Sequence, residues 1–336
     1  MTASVDSGLL SVDGVKVTFR TREGKRARAV DGVELELQKG EIVALVGESG
    51  CGKTTLARTI LGLEKPAAGQ IRFEGSGLRY GTRRLKGYRK KVQLVLQDPM
   101  GSLNPRMTVY ELVAEGPRVH GMDDEAGRVA RALSQAGMRP PEKFFLRFPH
   151  ELSGGQRQRV VIAGALALEP EILVADEPVS SLDASVRGEI LALLLKLRED
   201  LGLTVLVVTH DLGLAWNIAD RIVVMYLGRI VEQGTTEEVL TDPRHPYTKA
   251  LLSVVPEIGE REPIVLAGEP PDPTKIPSGC RFHPRCQSLA DGTAAAAGVA
   301  AACSTTSPDV LPALPGHQAA CWLDQPAPSS VSQAVG

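Results

Sequence analysis

Aromatic residues make up only 4% of this 336-residue chain, and no apolar run extends much beyond Val160–Leu168. A helix that crosses a bilayer needs roughly 20 consecutive apolar residues, so the chain is not expected to span a membrane by itself. Charge of one sign is also missing. With 38 basic against 40 acidic side chains, the formal charge is -2, which gives no basic excess to release counterions from nucleic acid. Between Met1 and Leu10 no basic segment precedes an apolar stretch. That argues against a secretory leader and for a reducing compartment, where the five cysteines are not expected to form structural disulfides.

What the chain does have is an ample core, with 43% hydrophobic residues, and a length that fits two domains or one large domain with an appendage. Composition shifts near Pro256. From there to Gly336 lie 12 of the 23 prolines, an alanine-rich patch, and four basic against eight acidic residues. This quarter has little apolar periodicity and reads as an irregular appendage. Before it, short β-rich runs (Ile42–Val46, Ile172–Ala175, Thr204–Thr209, Arg221–Met225) alternate with helical patterns, as a parallel sheet covered by helices requires. One helix is expected over Ala184–Leu201, where Val186, Ile190, Leu193, Leu194, Leu197 and Leu201 recur at three and four, with Gly202 as its stop. No internal repeat occurs.

The segment Gly47-Glu48-Ser49-Gly50-Cys51-Gly52-Lys53-Thr54 matches G-x-x-x-x-G-K-[ST], between a buried strand and a helix expected over Thr55–Leu61. Glycines let backbone N–H groups fold around a β-phosphate at a helix N-terminus. Lys53 brings a point charge to the β and γ oxygens, and the Thr54 hydroxyl can ligate Mg2+. A glycine-rich turn with a chance Lys-Thr is the plain alternative, but strand, motif and helix occur together. Cys51 sits at a variable position of the loop. A second apolar strand ends in Asp176-Glu177, a pair that can support Mg2+ and orient or deprotonate an attacking water. A third ends in His210-Asp211, and ligands of parallel sheets gather where strands end.

The element that fixes a family is Leu152-Ser153-Gly154-Gly155-Gln156, followed by Arg157-Gln158-Arg159. With the phosphate loop, Gln97, Asp176-Glu177, Ser181-Leu182-Asp183 and His210 in this order, the sequence resembles the nucleotide-binding subunit of an ATP-binding-cassette (ABC) transporter over about residues 10–252. The resemblance implies an α/β fold of the P-loop type. Its parts would be a RecA-like core, an antiparallel β-subdomain and a helical insert (about residues 98–165) in a domain of residues 1–255, then an irregular cysteine-containing extension over residues 256–336.

It also implies roles. Gly47 to Thr55 would cradle the phosphates of ATP, with Thr54, Gln97 and Asp176 around Mg2+, and Phe19 would stack on adenine. Glu177 would be the catalytic base, Gln97 would sense the metal and the γ-phosphate, and His210 would hold the γ-phosphate. Ser153, Gly154, Gly155 and Gln156 would form a second anion site, closing over ATP held by another protomer, with Asp183 bridging to it. The partners implied are a second ABC ATPase subunit (a paralogue or a second copy), two transmembrane permease subunits and an extracytoplasmic solute-binding protein. The place implied is the cytoplasmic face of the cell membrane, as a peripheral subunit.

Two stretches narrow the resemblance. The run from Gln97 to Val109 (QDPMGSLNPRMTV) and that from Asp242 to Leu252 (DPRHPYTKALL) are similar to the ATPase subunits of dipeptide, oligopeptide and nickel importers. Peptide import is the expectation, and nickel or another small solute the alternative. By its local pattern alone, the second stretch would be a proline-stopped helix start on the surface.

Cys280, Cys286, Cys303 and Cys321 resemble the C-terminal segment of these importers, which in some members binds a [4Fe-4S] cluster. Thiolates suit iron-sulfur or zinc, and His283 and His317 leave a mixed Cys/His zinc site open. The 16 residues between Cys286 and Cys303 exceed the family spacing and are expected to form a loop. The basic run Arg79–Lys91 has only Tyr80 and Tyr88 among its cations, so it reads as a solvated face rather than a nucleic-acid site. A soluble ABC ATPase of DNA repair or translation would be expected to carry a long coiled coil or two cassettes. A phosphate-loop kinase would have no use for Ser153 to Gln156.

Overall fold

The structure is a computed structural model that describes residues 8–180, 182–255, 262–266, 268–313 and 316–325. Ser181 and Pro256 lie outside the described residues. In chain order the strands are β1 (Leu10–Arg20), β2 (Arg26–Leu37), β3 (Ile42–Val46), β4 (Ala68–Phe73), β5 (Ser76–Gly77), β6 (Val92–Val95), β7 (Ile172–Asp176), β8 (Thr204–Thr209), β9 (Arg221–Tyr226), β10 (Arg229–Thr235) and β11 (Gln318–Ala319). The helices are α1 (Lys53–Ile60), α2 (Thr82–Lys91), α3 (Pro99–Ser102), α4 (Val109–His120), α5 (Glu125–Gln135), α6 (Gly154–Leu166), α7 (Ala184–Leu201), α8 (Leu212–Ile218), α9 (Thr236–Thr241), α10 (Pro246–Ser253), α11 (Gln287–Ala290), α12 (Thr293–Ala296) and α13 (Ala300–Thr305).

A seven-stranded sheet runs β11-β10-β9-β3-β8-β7-β6, parallel from β9 to β6 and antiparallel at the β9-β10-β11 edge. Strand β3 is buried at every position, the mark of a strand covered on both faces. Its alternation divides the core. Val43 and Leu45, with Leu206, Val208, Val223 and Met225, pack toward α1 and the small sheet. Ile42, Val205 and Val207 face the helices that follow β6. The antiparallel sheet β2-β1-β4-β5 lies over the first face. Helices α3 to α6 fill the stretch between β6 and β7 and pack Val109, Val113, Val129, Leu133 and Val160 into one cluster. Helix α7 matches the expected range, buries Ile190, Leu193, Leu194 and Leu197 and stops at Gly202 in the left-handed region, φ 63°. Among the described residues no helix is long and apolar enough to cross a membrane.

Three sequence expectations need correction. The C-terminal quarter is more than an irregular appendage: β11 adds to the main sheet beside β10, and Phe282 is fully buried against Tyr226 and Tyr247. The expected loop after Cys286 forms α11, α12 and the start of α13, with Ala294, Val299 and Ala302 buried around Trp322. Alanine carries little side-chain entropy to lose in a helix. The stretch 242–252 does open a helix, α10, at Pro246, but not on the surface, because His245, Tyr247 and Leu252 are inside. The basic run forms α2, which keeps its cations largely outside but buries Leu85 and Tyr88, the Tyr88 ring edge-on to Phe73 at 5.6 Å.

Candidate active site

Four neighbouring parallel strands deliver the site. Strand β3 ends at the phosphate loop, β8 before His210, β7 at Asp176-Glu177 and β6 two residues before Gln97. All four strands point the same way, so their carboxyl ends share one edge of the sheet, where α/β ligands bind.

The loop 47–52 leads into α1, whose N-cap is Gly52. Gly47 and Gly52 hold positive φ (151° and 111°), and a Cβ on them would sit 2.2 Å from the Met225 carbonyl and 2.1 Å from the Ala29 carbonyl. Only glycine lets the loop pass that closely. Lys53 Nζ donates to the Gly47 and Glu48 carbonyls at 2.6 and 2.9 Å, so its ammonium lies within the loop's concavity. Ser49, Gly50, Cys51, Gly52, Lys53, Thr54 and Thr55 line a cleft of about 650 Å³, counting space open to solvent, together with Glu177 and a rim of Ala27, Arg28, Ala29 and Pro273. Burial pushes the Cys51 thiol up, which keeps it a neutral, unreactive side chain.

Thr54, on α1, stands beside Asp176 at the end of β7. Burial pushes the Asp176 carboxyl up and Glu177 adds to this, while Thr54 and Lys53 pull it back down. Glu177 has a left-handed backbone, φ 47°, fixed by its N–H to the Val208 carbonyl at 2.8 Å. That turn aims the carboxylate at two partners. Gln97 Nε2 donates to Oε2 at 3.0 Å, and His210 Nδ1 lies 2.9 Å from Oε1. Gln97 and His210 are otherwise exposed. A second cavity on the other side of Glu177 is lined by His210, Arg187 and Ser180.

The remaining candidates lie elsewhere. Ser153 caps α6 in a reciprocal box: Gln156 N–H donates to Ser153 Oγ at 3.3 Å, and Ser153 N–H donates to Gln156 Oε1 at 3.0 Å. Ser153 and Gly154 are exposed, and Gly155 has no room for a side chain because a Cβ would meet Val186 at 2.6 Å. Asp183 is the exposed N-cap residue of α7. None of Ser153, Gly154, Gly155, Gln156 and Asp183 lines either cavity at Glu177. Phe19 is 41% exposed on β1, opposite Ala27 of the cleft rim, and does not itself line the cleft.

Cys280, Cys286, Cys303 and Cys321 line one cavity with His245 and His283. Burial pushes all four thiols up, Cys280 to about 11 and Cys321 to about 12. Yet among the described residues no group of three or more His, Cys, Asp or Glu side chains is arranged to hold a metal ion. His317 stands apart from this cavity and pairs with Glu232 at 2.7 Å. Sequence reasoning missed Pro273 at the nucleotide cleft and the contacts of Arg285 and Tyr247 with the phosphate loop. No local pattern signals pairings across such separations.

Comparison with known proteins identifies the family. A family profile described as "ABC transporter" matches residues 30–180, and one described as "Oligopeptide/dipeptide transporter, C-terminal region" matches residues 231–291. A peptide import ATP-binding protein of Brucella ovis is 43% identical over 326 residues, 95% of this chain and 99% of that protein. The oligopeptide transport ATP-binding protein AppF of Bacillus subtilis is 42% identical over 96% of this chain and 99% of its own length. The dipeptide transport ATP-binding protein DppF of Escherichia coli is 41% identical over 85% and 88%.

Among solved structures, cbiO1 of Clostridium perfringens, part of an ABC transporter complex, matches with TM-score 0.64 and 31% identity over 70% of this chain and 92% of its own. The ATP-binding cassette MJ0796, solved as a dimer after hydrolysis with ADP and Pi, matches with TM-score 0.61 and 32% identity over 68% and 98%. The fold is thus that of an ABC ATPase, an enzyme that hydrolyses ATP. The chain belongs to the ABC transporter family, among the ATP-binding subunits that carry the oligopeptide/dipeptide transporter C-terminal region.

Proposed function

We propose that this chain is the motor subunit of a di- or oligopeptide importer, docked at the cytoplasmic face of a membrane on two permease subunits that receive peptide from an extracytoplasmic solute-binding protein. The observation that carries the chemistry is the convergence of Lys53, the Thr54–Asp176 pair and the Gln97–Glu177–His210 group on one edge of the sheet. In this reading the loop N–H groups and Lys53 bind the phosphates of ATP. Thr54, Asp176 and Gln97 would hold Mg2+, which when bound would neutralise charge on the phosphoryl group. Glu177 takes the proton of the attacking water, and Gln97 and His210 orient its carboxylate. His210 also holds the γ-phosphate, and Phe19 stacks on adenine at the rim.

The exposed Ser153–Gln156 cap supports a site completed in trans. Its serine and the free N–H groups of α6 make an anion-binding end that this chain's own cleft does not use. A second copy or a paralogue would bring its own cap over ATP, with Asp183 beside the seam. Binding then favours a closed pair, and hydrolysis removes contacts that exist only in it. The test is ATP-dependent uptake of a labelled dipeptide into vesicles reconstituted with the permease subunits and the solute-binding protein. Uptake of nickel but not of peptide would replace the solute class, and no ATP-dependent uptake of either would overturn the import reading.

The resemblance implies the C-terminal thiols as donors to a [4Fe-4S] cluster, which the softness of sulfur would suit; they line one cavity, but loading would require them to rearrange, because no three of them are placed to hold a metal ion. Their raised pKa values mean that loading must expel protons. Absorbance near about 400 nm with iron and sulfide in anaerobically prepared protein supports this. Zinc, or no metal at all, overturns it.

A further inference from the structure

The C-terminal region grips the phosphate loop directly. Arg285 lies in the short turn between Cys280 and Cys286 and is 8% exposed. It donates to both carboxylate oxygens of Glu48, 2.7 Å to Oε2 and 3.1 Å to Oε1. Such a two-pronged, charge-assisted pair fixes direction as well as distance. The main chain at the same residue is held from another side, where Glu48 N–H donates to Tyr247 Oη at 2.7 Å. Tyr247 is fully buried, and its own N–H donates to His245 Nδ1 at 3.1 Å. His245 N–H and Arg244 N–H in turn donate to the buried Glu232 carboxylate, each at 2.8 Å.

Arg281, at the other end of the same turn, donates to the Leu227 carbonyl and to Asp31. It thereby braces the β9–β10 hairpin, whose Gly228 N–H donates to the Cys51 carbonyl at 2.8 Å. Glu48 and Cys51, two of the four variable positions of the loop, are therefore both tied to residues beyond position 226.

We propose that Arg285 and Tyr247 are positioning residues for the phosphate loop, which fix Glu48 so that the loop's N–H groups are arranged for a diphosphate before nucleotide arrives. A preformed loop binds without first having to be ordered. The same ties make the C-terminal region a determinant of nucleotide affinity. This inference rests on the assignment of loop 47–54 as the phosphate site.

The test measures binding of ADP, ATP and AMP by calorimetry on the full chain. Arg285→Ala is expected to weaken ADP and ATP about tenfold, equivalent to about 1.4 kcal/mol. AMP, which has no β-phosphate, should bind much as it does to wild type, and Arg285→Lys should restore part of the loss. In the Glu48→Ala background, Arg285→Ala should cost nothing further, because the partner is already gone. Tyr247→Phe keeps the buried ring and removes only the acceptor for Glu48 N–H, so it serves if Arg285→Ala fails to fold, with the same selectivity for ADP over AMP expected. Equal losses for AMP and ADP, unchanged ADP affinity in both variants, or additive losses with Glu48→Ala would overturn the clamp. Lys53→Ala separates the two readings. If it abolishes ADP binding while the clamp variants do not weaken it, the phosphate site stands and the clamp falls; if it leaves ADP binding intact, the phosphate site itself falls.

Discussion

His210 Nδ1 and Glu177 Oε1 lie 2.9 Å apart, each just beyond the end of one of two adjacent parallel strands, β8 and β7. Because the strands run in register, with Asp176 opposite Val208, the sheet brings the pair together and the left-handed turn at Glu177 completes its aim. Gln97 closes on the other carboxylate oxygen from β6. The carboxylate is thus aimed and held.

Glu177→Gln preserves the shape of this group and removes its capacity to accept a proton. ATP turnover should fall by roughly 10²- to 10⁴-fold, the usual contribution of a general base, while nucleotide binding persists. Steady-state phosphate release and size-exclusion chromatography with ATP check both points, the second by the appearance of an ATP-dependent dimer. Wild-type turnover in this variant would remove Glu177 from the base role.

Ser153→Ala removes the hydroxyl that caps α6 and the proposed contact to nucleotide on a mate. In the Glu177→Gln background it should abolish the ATP-dependent dimer. Loss of the cap alone costs about 1 kcal/mol of stability, readable as a small drop in melting temperature. A dimer that survives Ser153→Ala, and also the bulkier Ser153→Arg, would place the interface elsewhere.

Gly52→Ala should be far more damaging than its size suggests. The added Cβ would meet the Ala29 carbonyl at 2.1 Å in a left-handed backbone, and neither can yield without displacing the loop from β2. Loss of ADP binding by at least about tenfold is expected, since the steric and conformational costs add. Gly50→Ala, with nothing within 4 Å of the new Cβ, should lose less despite its positive φ. Equal effects of the two would show that loop packing does not limit binding.

Burial pushes His245 down to about 3 from a reference of 6.5, with Lys249 on the same helix acting in the same direction. Its Nδ1 accepts from Tyr247 N–H, and its Nε2 is buried without a hydrogen-bond partner. Below about pH 6.5 the unfolded chain binds a proton that the folded chain refuses until about pH 3. Stability therefore falls as pH drops through that window, by up to about 1.4 kcal/mol per pH unit for one proton, and this contribution is absent above it. Thermal unfolding between pH 7 and pH 4 should show a shallower acid slope for His245→Asn, which keeps a short acceptor but does not titrate. Identical slopes would remove His245 as the acid-sensitive group.

Much of the catalytic edge was legible in the chain. Strands β3, β7 and β8 are short apolar runs that lead straight into their candidate functional residues, and α7 repeats leucine at helical spacing before Gly202. Where position follows from a neighbour one to four residues away, pattern suffices. The basic run keeps its cations largely outside, as its charge suggests, but Tyr88 turns inward and donates its hydroxyl to the Ile60 carbonyl in the core, which only the packing of α2 on β4 and α1 reveals.

The sequence by itself determined the class of chemistry, because the phosphate loop, the acidic strand end and the signature are local constellations whose residue types follow from the reaction. Tertiary structure alone decided which of them meet. Gln97 reaches Glu177 across 80 positions, and Arg285 reaches Glu48 across 237. Strand order in the sheet sets the first pairing. The second depends on burying Phe282 against Tyr226 and Tyr247, a packing choice made by the whole core and written in no single stretch of the chain.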